Sequence, residues 1–153
     1  MTSIAGQVEG VARRRGTEDG LRALRRGFGW ICLGGGALVG LYWLLYLTGA
    51  VALGQEEPLV ASFESAFPLA DSVMAAVLVG AGIALVSGHE AGPFLLTAGA
   101  AMSAYLGLLD LTFYGRLGAA GGFGAALQAA LNAISLVGGT AGLLAAWRLR
   151  RSG

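Results

Sequence analysis

Residues 66–87 read AFPLADSVMAAVLVGAGIALVS, and residues 92–114 read GPFLLTAGAAMSAYLGLLDLTFY. A hydrocarbon core of about 30 Å takes about 20 apolar residues of helix, and each stretch supplies them. Each holds one charged residue, Asp71 in the first and Asp110 in the second. Only Gly88, His89, Glu90 and Ala91 intervene. So short a connection makes the two helices antiparallel neighbours, and Pro93 suits the first turn of the second.

Two more stretches of the same kind lie outside this hairpin, at 27–51 and 124–147. The chain has 153 residues, of which 56% are hydrophobic and 12% charged, the latter about half the share usual in a soluble domain. Its mean hydropathy is +0.70. A soluble helical bundle would give each helix a polar face, and these segments are apolar nearly all round. The connections are too short to fold by themselves. The sequence therefore predicts an all-α, polytopic membrane protein, an antiparallel four-transmembrane-helix bundle over 27–147. An Arg-rich lead at 1–26 precedes it and a basic tail at 148–153 follows it.

Charge distribution sets the expected topology. All ten basic residues are Arg. Arg13, Arg14, Arg15, Arg22, Arg25 and Arg26 precede the first span, Arg148, Arg150 and Arg151 follow the last, and Arg116 alone sits in a connection. The first loop is acidic, with Glu56, Glu57 and Glu64. The positive-inside rule then puts both termini in the cytoplasm, which an even number of spans allows. The first apolar run is too long for the core of a signal peptide and its basic lead too extended, so a retained anchor helix is expected. In the lead, Ile4, Val8, Val11, Leu21 and Leu24 are interspersed with Arg, which fits a short interfacial helix. Gly6, Gly10, Gly16 and Gly20 weaken that helix and favour a mobile tail whose arginines set topology. Pro58 is expected to break any helix in the first loop.

Cys32 is the only cysteine and His89 the only histidine. That excludes an intrachain disulfide or CxxC redox site, bis-His haem ligation within one chain and a zinc-type cluster. No cofactor or metal is expected, and no nucleic-acid partner. No P-loop, Rossmann fingerprint or hydrolase motif is present. His89 and Glu90 have the composition of an acid–base pair, but no nucleophile stands near them and they read as a solvated turn.

Glycine occurs 27 times, often within the spans, where small residues let helix backbones approach closely. Gly36 and Gly40 form a GxxxG pair in the first span. Ala76, Gly80 and Ala84 recur in the second, and Gly99, Ser103 and Gly107 in the third. In the fourth, Gln128, Asn132, Ser135, Gly139, Gly142 and Ala146 follow one helical face. Such faces imply a tight bundle or a homo-oligomer contact.

Asp71 and Asp110 demand an explanation. Insertion scales put the cost of an Asp at the centre of a membrane helix at about 2.5–3.5 kcal/mol. Counted from the turn at residue 90, the two lie nearly equally far away. At a common rise per residue they share a depth, in the outer third of the membrane. Tyr46 and Gln128 fall at the same level, with Tyr42 and Asn132 about one turn deeper. Asp110 shares a face with Ser103, Gly107 and Tyr114 and is expected to point inward. The facing of Asp71 stays open.

One reading is an outward-opening pocket lined by Tyr42, Tyr46, Asp71, Asp110, Gln128 and Asn132. Its paired carboxyls would hold a cation, a proton or a small amine, and the acidic first loop would concentrate cations at its mouth. The other reading is an interhelical hydrogen-bond network, with Arg116 pairing one Asp from the rim. Such bonds average about 0.6 kcal/mol in membranes, which offsets little of the burial. Gln128 and Asn132 alone read as helix-to-helix bonding, and Tyr42, Trp43 and Tyr46 as packing or interface anchors.

The runs Phe67-Pro68-Leu69-Ala70-Asp71 and Tyr105-Leu106-Gly107-Leu108-Leu109-Asp110-Leu111, with Asn132 early in the fourth span and Trp147-Arg148 closing it, carry a resemblance. Over roughly residues 27–150 the layout is similar to that of uncharacterised bacterial four-helix membrane proteins of the YvaD type. The resemblance implies that both Asp positions belong to the pattern, and it fits a bacterial inner membrane. It carries no activity. The sterol-isomerase and sigma-2-receptor superfamily is also four-helix with buried acids, but the His and Glu array of the isomerases is missing here.

The expected function is a small membrane binding or transport module with an outward-facing carboxyl pocket. The rival is a non-catalytic accessory or assembly subunit, docked on a larger membrane complex through its Gly-rich faces and Arg-rich tail. A lipid- or sterol-modifying enzyme is a third reading.

Overall fold

The computed structural model describes residues 4–50, 58–117 and 123–151, with side chains described from residue 16 onward except at 61, 64, 117 and 123–128. Five helices follow in order: α1 (Ile4–Leu47), α2 (Pro58–Glu64), α3 (Pro68–Val86), α4 (Gly92–Leu117) and α5 (Phe123–Arg151). No strand occurs among the described residues. Four segments are long and apolar enough to cross a membrane: Gly16–Leu47, Pro68–Val86, Gly92–Arg116 and Ala129–Arg151.

The outer surface agrees with that. Leu69 is 78% exposed, and Ile134 and Val137 are each 68% exposed. So much apolar surface facing water would drive aggregation; facing acyl chains it is what a span requires. Two exposed threonines are satisfied within their own helices. Thr112 donates to the Leu108 carbonyl and Thr140 to the Leu136 carbonyl, both at 2.8 Å, as a polar group in lipid must. The chain is an all-α, multi-pass membrane protein.

Two glycines end helices. Gly49 has φ 75° and Gly88 φ 80°, a left-handed backbone that glycine adopts without strain. Each lets the next residue reach back to an orphan carbonyl. Ala50 N–H donates to Leu45 O at 2.9 Å, and His89 N–H to Ala84 O at 2.8 Å. His89 then serves the start of α4. Its Nδ1 accepts the Ala91 N–H at 3.1 Å and its carbonyl the Gly92 N–H at 3.1 Å. The Arg25 guanidinium of α1 also donates to that carbonyl. His89 and Glu90 are exposed, a solvated turn with a capping role.

Two elements differ from expectation. α1 is helical from Ile4 through the lead and into the span, 44 residues in all. At 1.5 Å per residue that is about 66 Å, some twice the hydrocarbon thickness. Nucleating a helix is costly, but lengthening one adds a hydrogen bond for each residue fixed. The span therefore carries the lead with it despite its glycines. Pro58 does not break a helix but begins α2, because its missing N–H falls where a helix needs no partner. Glu56 and Glu57 lie outside the described residues, as do the side chains of Glu64, Ile4, Val8, Val11 and Arg13 to Arg15.

α1 packs mainly on α3 and α4 on α5; α3 and α4 join the two pairs, and α1 and α5 meet only sparsely. Glycines make the close approaches. A Cβ added at Gly36 would fall 2.8 Å from Ala75 O, and one at Gly82 would fall 2.8 Å from Gly29 O. Gly40, expected to partner Gly36, meets nothing, and Gly29 takes that place. Ala76 is exposed while Ala75 is buried. The expected face of the fourth span does pack, with Asn132, Gly139, Gly142 and Ala146 all buried. The apolar core gathers Cys32, Ala81, Leu85, Leu96, Ala145 and Ala146. All of these belong to the half of the bundle nearer the arginine-bearing ends.

Candidate functional site

The other half is built differently. Asp71 stands in the first turn of α3, where the positive end of the helix dipole favours a negative side chain. Trp43 of α1 is buried at 4% exposure, and its Nε1–H donates to Asp71 Oδ2 at 2.8 Å. An indole N–H can only donate, and a buried one requires an acceptor. Tyr42 and Tyr46 brace the indole edge-on, with ring centres 5.2 and 5.1 Å away.

On the α4–α5 side, Gly107 lets the two helices meet. A Cβ there would fall 3.0 Å from Leu136 N and 3.1 Å from Asn132 O. Ser103 Oγ donates to the Ser135 carbonyl at 3.1 Å. Asp110 lies one turn beyond Gly107, and Asn132 is 4% exposed.

A partly open cavity of about 170 Å³ lies between these walls, close to the size of an engineered apolar cavity of about 150 Å³ that takes up benzene. Its polar lining is Tyr42, Trp43, Asp71, Asp110, Asn132 and Ser135. Phe67 and aliphatic side chains such as Leu38, Met74 and Leu106 make up the rest. At the same end of the bundle α2 is held by aromatic contact. Phe63 stacks on Phe113 of α4 with ring centres 3.6 Å apart and planes 4° from parallel, and Phe67 is 4.6 Å from Phe63.

Of the residues singled out from the sequence, Tyr42, Asp71, Asp110 and Asn132 line this one cavity. The two acids meet at one cavity, and Asp71 faces inward. Tyr46 is not part of the lining and packs on Trp43 instead. The side chain of Gln128 lies outside the described residues. Arg116 is exposed in the last turn of α4. Trp43, read from the sequence as an anchor, is the donor to Asp71. The signal for it was available: a donor-only side chain in a membrane span, close to the depth of a carboxylate, has few other acceptors.

Among the described residues no three His, Cys, Asp or Glu side chains group closely enough to hold a metal ion. No protein family matches the chain, and neither a curated protein nor a solved structure matches it. Two acids and an amide set in an apolar wall can hold positive charge or exchange a proton.

Proposed function

We propose that the chain is a small integral-membrane binding or transport module whose cavity receives a cation, a proton or a small amine. One observation carries this reading: Asp71 and Asp110, from antiparallel helices, line a single cavity together with Asn132. A carboxylate removed from water is costly unless its charge is compensated, and two that share a site disfavour joint ionisation. A positive guest or a shared proton relieves both. The arginines of α1 and α5 mark the opposite end of the bundle. Under the positive-inside rule that end is cytoplasmic, and the cavity lies toward the other face of the cell membrane.

The test replaces Asp71 and Asp110 by Asn, singly and together. Asn keeps the shape and an acceptor for Trp43 but removes the charge. The expected result is intact assembly with loss of cation binding or of uptake into proteoliposomes. A double variant that binds and transports like the parent defeats the reading. A change in co-purifying membrane proteins, with no ligand effect, assigns the chain instead to the accessory subunits.

A further inference from the structure

Resting on that reading, we propose that the guest is a small organic ammonium, about the bulk of a single ring, and not a metal ion. Size is the first ground. A bare alkali ion would fill a small part of a 170 Å³ cavity and would have to bring its water against Leu38, Met74 and Leu106. The second ground is the supply of oxygen. Calcium takes 6–8 oxygen ligands and magnesium demands a near-octahedral set. The lining offers two carboxylates, one side-chain amide and the hydroxyls of Ser135 and Tyr42, a set that reaches the lower calcium number only if nearly every oxygen turns to one point, and no three His, Cys, Asp or Glu side chains among the described residues group closely enough to hold a metal ion. One carboxylate oxygen, Asp71 Oδ2, already accepts from Trp43.

The third ground is the aromatic wall. Tyr42, Trp43 and Phe67 line the same space as the two acids. Aromatic rings attract cations through their quadrupole, most strongly where water is excluded, and tryptophan does so best. Alkylammonium ions present charge spread over a carbon surface. They match carboxylate, aromatic and aliphatic walls at once, which neither a hydrated metal ion nor a proton does. Charge selects the sign of the guest, and carbon selects its class.

The experiment uses the full chain in nanodiscs, with Trp30→Phe and Trp147→Phe leaving Trp43 as the single tryptophan. Both replaced residues are exposed and outside the cavity. Tetramethylammonium is titrated against Trp43 fluorescence and by calorimetry, and Na⁺, K⁺ and Ca²⁺ are titrated separately. The expected result is saturable tetramethylammonium binding, weakened at least about tenfold by Asp71→Asn and by Trp43→Leu, or about 1.4 kcal/mol. Affinity should also fall stepwise as mono-, di- and trifluorotryptophan replace Trp43. The fluorinated series keeps the ring and its N–H, so it decides the question even where Trp43→Leu fails to fold. Ammonium binding indifferent to fluorination overturns the aromatic-wall assignment. Metal-ion or proton binding that Asp71→Asn and Asp110→Asn abolish, without tetramethylammonium binding, overturns the ligand class and leaves the binding-module reading standing. No cation binding at all, with an unaffected double Asn variant, overturns both.

Discussion

A methyl group at Gly139 would sit 2.6 Å from both Ala100 O and Ala104 N, while one at Gly138 meets nothing within 4 Å. Backbone atoms cannot swing aside, so α4 and α5 would have to separate. Gly139→Ala should destabilise the fold by about 1–3 kcal/mol through overpacking. Gly138→Ala should be neutral or stabilise by up to about 1 kcal/mol through helix propensity. Unfolding in mixed micelles, followed for both variants, checks the contrast. Trp43→Phe is the second test at this scale. It keeps an aromatic ring but deletes the pyrrole portion with its N–H, leaving Asp71 Oδ2 without that donor, at a cost of about 1–3 kcal/mol on top of the lost packing. A double-mutant cycle with Asp71→Asn should show coupling between the two positions. Spacing in the sequence identified the small residues but not always their direction. Gly36 and Gly40 satisfy GxxxG, yet the contact face of α1 runs through Gly29 and Gly36. The rotation of a helix about its axis is set by its neighbour, and α1 is apolar on too many sides for its own pattern to settle it.

At the level of whole helices, the spans were legible because lipid forces them to be long and apolar. Their neighbours were not. The lead of α1 follows the span for a cooperative reason that residue propensities omit. The meaning of Pro58 depends on whether a helix begins at it or runs through it. The contact of Arg25 with the His89 carbonyl joins the two ends of the sequence gap between α1 and the α3–α4 turn, and no local pattern announces it. Arg25→Ala should loosen this turn without unfolding the spans. Charge-assisted bonds contribute roughly 1.5–3 kcal/mol when sheltered and less where water reaches them. Hydrogen exchange should therefore quicken at the Ala91 and Gly92 amides while the middle of α3 stays protected.

Across the whole molecule, the bundle divides into a filled half and a hollow half. The arginines of α1 and α5 lie with the apolar core at one end, and Asp71, Asp110 and the cavity lie at the other. The meeting of the two acids was readable because a hairpin turns residue counting into height and brings both to one cavity. The cavity itself was not, since empty space depends on how four helices lean together. The proposed orientation makes a plain prediction. Reporter domains fused at either chain end should both read cytoplasmic, and a reporter placed after residue 57 should read the opposite side. Exchanging Arg22, Arg25 and Arg26 for Gln should produce a mixed population.

Trp43 and Asp71 ride on the α1–α3 pair, whereas Asp110 and Asn132 ride on α4–α5, and α1 and α5 meet only sparsely. The two acids thus sit on separate leaves joined along α3 and α4. A cation gripped by both would work as a clasp, fastening the leaves when it arrives and freeing them to part when it leaves. Loading and unloading would then be the same event as closing and opening the protein.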